Sequence, residues 1–196
     1  MNKDPLAPLP SQAHGGALRG DPVLVACAHG TRNPTGRRLV AELALAARTL
    51  RPGLVTTAAF VDVQPPTVAD VVAGLADGGR PSVVVPLLLS GGYHVHVDIA
   101  RAVREHTEAR AARPLGPDPR LVAVLHDRLL AAGADPADPA TAVVLAAYLL
   151  APGHFHDKLT GAGADTVTAP LLPDERIAAV LLNRYDAAIS GWSVTS

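Results

Sequence analysis

The chain has 196 residues, 48% of them hydrophobic but only 3% aromatic, which is enough apolar material to fill a core. Its 17 lysines and arginines nearly balance its 18 acidic residues, so it lacks the basic surface that nucleic acids or anionic membranes attract. Alanine, valine and leucine dominate, which favours buried parallel strands covered by helices. We therefore predict an α/β fold, with neither nucleic acid nor membrane as a partner.

The amino-terminal segment and the cysteine content indicate a cytoplasmic protein. Residues 1–22 contain no apolar run, so they resemble neither a signal peptide nor a membrane span, and we predict a disordered arm. The single cysteine, Cys27, excludes an intramolecular disulfide and a multi-cysteine metal site. It lies close before His29, but the sequence offers no acylation machinery, so we interpret it as a small core residue.

From residue 23 onward, apolar runs alternate with helical patterns. Residues 23–28 form an almost continuous apolar run, typical of a buried parallel strand, which stops at His29-Gly30. A helix capped by Asn33 follows it. Residues 55–61 are predicted to form the second strand, and Pro65-Pro66 then opens a second helix.

The third predicted strand, Ser82 to Leu89, is apolar on both faces, which indicates a central strand. Pro86 within it implies a bulge or a missing ladder bond. The strand leads directly into Ser90-Gly91-Gly92-Tyr93-His94. The unit of about four strands is completed by a helix over 97–111, a short strand at 112–115 and a helix over 118–132.

Part of this unit recurs later in the chain. The stretch PLGPDPRLVAVLHDRLLAA at 114–132 matches PLLPDERIAAVLLNRYDAA at 170–188 in register. We therefore predict one complete module at 23–134 and a truncated second module at 140–190.

Two shorter similarities indicate what the second module retains. Leu87 to His94 resembles Leu149 to Phe155, which aligns Phe155 with His94, and residues 23–28 resemble 143–147. The second module then lacks the stretch that would hold another His-Gly loop and two helices.

Reactive side chains follow the first three predicted strands. His29 follows the first, Asp62 the second and His94 the third, with His96 just beyond. Ligands of open parallel sheets bind outside the carboxyl ends of the strands. Imidazoles and a carboxylate suit a borderline divalent metal such as Co, Ni, Fe or Zn. They also suit metal insertion into a tetrapyrrole, because two pyrrole N–H protons must leave and imidazole accepts a proton near neutral pH.

Each of these residues also has a purely structural interpretation. His29 can satisfy loop backbone, Asp62 can belong to a plain turn, and His94 and His96 can be polar residues at a helix start. Their joint occurrence at consecutive strand ends favours a functional site. A second cluster in the truncated module, whose role stays open, consists of His154 and His156.

Several other chemistries lack their motifs. The sequence contains no G-x-x-x-x-G-K-[ST] loop, so we predict no nucleotide and no ATP-driven chelation. It contains neither the dinucleotide-binding G-x-G-x-x-G after the first strand nor a G-x-S-x-G nucleophile elbow. Histidine phosphatases place arginine immediately before their strand-end histidine, whereas Ala28 occupies that position here.

Four stretches resemble the small ATP-independent tetrapyrrole chelatases, the sirohydrochlorin cobalto- and ferrochelatases of the CbiX/SirB type. They are VLVACAHGTRNP at 23–34, AFVDVQPP at 59–66, VPLLLSGGYHVHVDI at 85–99 and PLGPDP at 114–119. The resemblance implies a flavodoxin-like parallel sheet with helices on both faces and a substrate cleft between two halves.

The resemblance also implies roles for individual residues. His29 and His94 match the metal-binding and proton-accepting histidines of the family, and Asp62 stands where many members have glutamate. His96 is a further metal candidate. The predicted substrate-binding residues are Gly30, Thr31, Arg32, Ser90, Gly91, Gly92 and Tyr93.

The reaction implied is insertion of Co²⁺, Fe²⁺ or Ni²⁺ into sirohydrochlorin or a related precorrin, in siroheme or cobalamin biosynthesis. Two alternatives remain: a tetrapyrrole- or metal-binding protein without turnover, and a folding-deficient relic whose exposed sheet edge drives self-association. A homodimer that pairs the first modules would restore a complete cleft.

Overall fold

The structure is a computed structural model that describes residues 21–90, 93–135, 137, 143–190 and 192, and the side chains of 93–96 lie outside that description. The predicted arm therefore lies outside the described residues, apart from Asp21 and Pro22. Gly91 and Gly92 lie outside it as well. No helix in the described ranges is both long and apolar enough to cross a bilayer.

Twelve elements follow one another within the described residues, and the first eight form a four-stranded unit. These are β1 (Val23–Ala28), α1 (Pro34–Leu50), β2 (Thr56–Phe60), α2 (Val68–Asp77), β3 (Ser82–Pro86), α3 (Tyr93–Arg104), β4 (Ala109–Ala111), α4 (Pro119–Ala131), β5 (Val144–Leu145), α5 (His154–Thr160), β6 (Thr166–Val167) and α6 (Glu175–Ile189). The first sheet is parallel, in the order β2-β1-β3-β4. This is the flavodoxin-like strand order, so the predicted α/β class and the central place of β3 are confirmed.

Strand β1 shows why helices must cover both faces of the sheet, because all six of its residues are buried. Leu24, Ala26 and Ala28 pack into one core with α1 and α6, whereas Val23, Val25 and Cys27 pack into the other with α2 and α3. Alternate residues of a strand point to opposite faces, so a strand apolar throughout needs a helical layer on each side.

Cys27 is a core residue, as predicted. Its side chain is buried, and this burial raises the pKa of the thiol to about 12. A thiolate at this position is therefore strongly disfavoured at neutral pH, which argues against a thiolate–imidazole pair with His29.

The boundaries around α3 differ from the prediction. The helix covers Tyr93–Arg104 rather than 97–111, and the strand after it is Ala109–Ala111 rather than 112–115. Strand β4 lies at the edge of the sheet, and of its three residues only Ala109 is buried, so no apolar run marks it. Strand β3 likewise ends at Pro86 instead of Leu89.

The second half retains the counterparts of β3 to α4 and lacks those of β1 to α2 within the described residues. Strand β5 pairs in parallel with β6, as β3 pairs with β4. The similarity of 143–147 to the first strand was therefore misleading, since β5 occupies the place of β3. Helix α6 of the second half packs against β3 and α1 of the first half, so the two halves share one core.

In each copy of the repeated stretch, an arginine side chain donates hydrogen bonds to backbone carbonyls of the other copy. Arg184 of α6 donates to the carbonyl oxygens of Pro114, Leu115 and Pro117, at 2.8, 2.7 and 3.1 Å. Arg128 of α4 donates in the same way to Pro170, Leu171 and Pro173. Since these carbonyls lie in loops of the opposite half, each helix satisfies backbone that the other half leaves unpaired.

Asp118 is a buried carboxylate that contacts one of these arginines, Arg184. It accepts hydrogen bonds from the backbone and guanidinium of Arg120, and Arg184 lies 3.2 Å away. The side-chain hydrogen bond from Arg120 is the main cause that lowers the pKa of Asp118 from 3.8 to about 2. Because the folded state prefers the charged form, this carboxylate stabilises the protein above the unfolded pKa, and the stabilisation is lost as pH falls towards 2.

Replacing Asp118 with Asn should therefore lower the free energy of unfolding by about 2 kcal/mol near pH 7, and by about half as much near pH 3. Urea denaturation at both pH values measures the difference. The control is Asp77→Asn, which changes an exposed residue at the end of α2 and should leave stability within about 0.5 kcal/mol. A loss for Asp118→Asn that is equal at both pH values would contradict the ionic explanation.

Candidate active site

The candidate site lies at the carboxyl edge of the first sheet, where the loops after β1, β2 and β3 meet. His29 directly follows β1, and Asp62 lies just beyond the end of β2. Both residues are exposed. Since β1 lies between β2 and β3, the fold brings all three loops to one edge.

The backbones of His29 and Asp62 are joined directly. The Asp62 N–H donates to the His29 carbonyl at 3.0 Å, and the preceding Val61 N–H donates to Ala28 at the same distance. These bonds extend the pairing of β1 and β2 beyond both strands. The structure thus brings together two residues that the sequence separates by more than thirty positions.

Gly30 makes this close approach possible. Its φ is +105°, and a Cβ at this position would overlap the backbone carbonyl oxygen of Asp62. Residues that carry a side chain rarely adopt this backbone conformation, and the contact with Asp62 leaves no room for a side chain. Glycine after His29 is therefore a requirement of the loop geometry.

The Asp62 carboxylate is oriented by its own turn. Its Oδ1 accepts the N–H of Val63 at 2.6 Å, and Val63 has a φ of 70°. No hydrogen bond to Oδ2 occurs among the described residues, so this oxygen is available to a ligand there. A carboxylate held in this way suits a divalent cation or a proton from the substrate.

Thr31 is at the centre of the loop after His29. Its N–H donates to Gln64 Oε1 at 3.1 Å, its hydroxyl accepts the Asn33 N–H at 3.1 Å, and its carbonyl accepts from Arg37 Nε at 2.7 Å. Gln64 and Arg37 were not predicted from the sequence. Gln64 had one signal, its place in the VDVQPP stretch directly after Asp62.

The third component of the predicted site is only partly described. Ser90 is exposed, and the backbone of Tyr93 and His94 forms the start of α3, near the end of β3. The side chains of Tyr93, His94 and His96 lie outside the described residues. Among the side chains that are described, no group of three or more His, Cys, Asp or Glu is arranged to hold a metal ion.

Comparison with known families identifies the chain. A family model described as CbiX matches residues 23–132, more than half of the 196 residues. The chain belongs to the CbiX family. The matched range contains His29, His94, His96, Asp62 and the whole first sheet.

Two solved structures share the fold of this chain. The sirohydrochlorin chelatase SirB from Bacillus subtilis subspecies spizizenii, in complex with cobalt, is 17% identical with a TM-score of 0.64, over 85% of this chain and 94% of its own. SirB from Bacillus subtilis with Fe³⁺ is 16% identical with a TM-score of 0.68, over 87% and 97%. At this identity the similarity shows the shared fold. No curated protein sequence matches the chain.

The truncated half of this CbiX-family chain packs against the segments that follow β1 and β3. A Cβ on Gly36 would lie 2.5 Å from the Pro152 carbonyl oxygen, and one on Gly153 would lie 3.1 Å from Thr31 Oγ1. The Tyr148 hydroxyl donates to the Leu89 carbonyl at 3.3 Å. The loop after β5 is therefore fixed against the His29 loop and against the segment that leads to His94.

The two histidines of the second half differ in their surroundings. His156 Nε2 donates to the Thr168 carbonyl at 3.0 Å, which occupies this nitrogen and directs the ring towards β6. His154 is exposed, and its ring meets that of Phe155 edge to face, with the centroids 5.6 Å apart. His156 Nε2 is thus engaged in structure, whereas the His154 ring is accessible.

Proposed function

We propose that this protein inserts a divalent metal, Co²⁺ or Fe²⁺, into sirohydrochlorin or a related precorrin without ATP. The observation that carries the proposal is the joined pair of loops bearing His29 and Asp62 at the carboxyl edge of a CbiX-family sheet. The SirB structures with the same fold hold cobalt and Fe³⁺, which supports a metal of this kind as substrate.

Each proposed residue has a definite task in this reaction. His29 accepts a proton from a pyrrole N–H, because the imidazole of histidine is a common general base in catalysis. Asp62 offers a carboxylate oxygen to the incoming metal or takes the second proton. His94, at the start of the helix after the neighbouring strand, completes the ligand set with His29, and His96 is a further candidate.

The loop backbone and its neighbours supply the proposed contacts to the macrocycle. Gly30, Thr31 and Arg32 follow His29, and Ser90 to Tyr93 precede His94. Arg32 is exposed and carries a positive charge suited to a carboxylate substituent of the tetrapyrrole. Nickel as a substrate, the siroheme or cobalamin pathway and a cytoplasmic location stay predictions.

The test is anaerobic absorbance of sirohydrochlorin mixed with Co²⁺ or Fe²⁺, with and without the protein. We expect the wild type to accelerate the spectral change over many turnovers, and His29→Ala to slow it by about 100-fold, since a general base contributes that much or more. His106→Ala, which changes a histidine outside the site just beyond α3, is the control and should act like the wild type. Wild-type protein that gives no acceleration would overturn the proposal.

A second candidate function is tetrapyrrole or metal binding without turnover. The observation that favours it is the second half, whose two described strands leave one side of the cleft without counterparts of β1 and β2. A spectral change that stops at one equivalent of tetrapyrrole per protein would establish this alternative. Gel filtration separates both candidates from the folding-deficient relic, because a discrete monomer or homodimer excludes self-association through an open edge.

A further inference from the structure

The two halves can be aligned by their backbone hydrogen bonds as well as by their residue identities. Ala112 N–H donates to the Val84 carbonyl at 2.8 Å, and Thr168 N–H donates to the Leu145 carbonyl at 3.0 Å. Ala112 and Thr168 each lie two residues before the repeated stretches at 114–132 and 170–188. Val84 and Leu145 are therefore structural counterparts, as the pairing of β3 with β4 and of β5 with β6 also indicates.

This alignment agrees with the correspondence expected from sequence. Counting forward from Val84 and Leu145 aligns His94 with Phe155. Each of the two is the second residue of the helix that follows its strand, because α3 begins at Tyr93 and α5 begins at His154. Phe155 thus occupies in the truncated half the place that His94 occupies in the first.

Phe155 is the most exposed of the Phe, Tyr and Trp side chains that the structure describes. Phe60 and Tyr185 are buried in the core, whereas the Phe155 side chain is 68% exposed. An exposed apolar residue needs no explanation by itself. This one, however, stands on α5 only two residues beyond Gly153, which packs against Thr31.

That contact limits how far Phe155 lies from the site. Consecutive Cα atoms are about 3.8 Å apart, so the Cα atoms of Phe155 and His29 each lie within about 8 Å of the contacting residues, Gly153 and Thr31. The loop between them is fixed from both sides by Thr31 and Leu89. An apolar ring therefore stands on the helix that begins beside the His29 loop.

We propose that Phe155 is the platform on which the truncated half receives one face of the tetrapyrrole. This inference rests on the proposed function and specifies how the second half contributes to binding. A ring with two χ angles offers a large apolar surface and loses little conformational freedom on contact. The edge-to-face contact with His154 holds the phenyl ring in place.

The experiment is an anaerobic absorbance titration with metal-free sirohydrochlorin, followed by steady-state assays with Co²⁺. We expect Phe155→Ala to weaken the Kd about tenfold, in line with stacking of a planar ring on an aromatic side chain. KM should rise similarly while kcat stays near the wild-type value, because Phe155 takes no part in proton or metal transfer. Phe155→Tyr keeps the ring and should retain wild-type affinity.

The matched control is Leu50→Ala, which also truncates an exposed apolar residue. Leu50 is 51% exposed and ends α1, so it lies at the edge of the sheet opposite His29. It should leave both Kd and KM unchanged. Wild-type turnover combined with an unchanged Kd for Phe155→Ala overturns the platform alone, whereas wild-type protein that neither binds nor converts sirohydrochlorin overturns the proposed function with it.

Discussion

Gly30→Ala is expected to lower the free energy of unfolding by about 3 kcal/mol and to reduce metal insertion at least 100-fold. The new Cβ would overlap the Asp62 carbonyl, so the loops after β1 and β2 must separate. The left-handed region adds about 1 to 2 kcal/mol for a residue with a side chain. Separating the loops breaks the hydrogen bond from Asp62 N–H to the His29 carbonyl and displaces the proposed base from the proposed metal ligand.

The control is Gly53→Ala, since Gly53 has a similar φ of +90° but nothing within 4 Å of the position that a Cβ would occupy. It isolates the backbone strain, which should cost about 1 to 2 kcal/mol and leave the rate of insertion unchanged. Urea denaturation and the sirohydrochlorin assay measure both variants. Equal losses of stability in the two glycine variants would show that overlap with Asp62 is unimportant.

Gly116→Ala is expected to have the second largest effect, through the loop that leads to His94. A Cβ on Gly116 would overlap the carbonyl group of Leu89. Leu89 also accepts the hydroxyl of Tyr148, so it is held from two sides and cannot retreat freely. We expect a loss of about 3 kcal/mol of stability and a reduction in metal insertion on the order of tenfold or more.

Gly74→Ala provides the contrast. Gly74 lies inside α2 with nothing within 4 Å of a new Cβ, so alanine should stabilise the protein by about 1 kcal/mol through helix propensity. Its rate should match the wild type. If Gly116→Ala loses stability but keeps full activity, the position of Leu89 does not govern the site, and the link to the His94 loop is wrong.

The sequence predicted well wherever a local pattern has a single structural meaning. The apolar run at 23–28 identified β1 and its burial on both faces, and Asn33 identified the start of α1. His29 and Asp62 were predicted to meet because parallel strands end at one edge, and the structure joins their backbones. The roles of these residues and of His94 stay predictions.

Prediction failed where the signal depends on the neighbours of a segment. Strand β4 carries little apolar surface because it lies at the edge of the sheet, so its place is set by pairing with β3. Gln64 acquired its partner, Thr31, only because the chain returns to the same edge.

By itself, the sequence determined the α/β class, the order of the first eight elements and the family to which the chain is similar, because burial periodicity and short motifs are local properties. Only the tertiary structure decided that α6 covers the first sheet and that the truncated half reaches the His29 loop. It also decided that Arg128 and Arg184 each donate hydrogen bonds to backbone carbonyls of the opposite half. These contacts join residues far apart in the chain, and their geometry depends on how the packed elements lie in space.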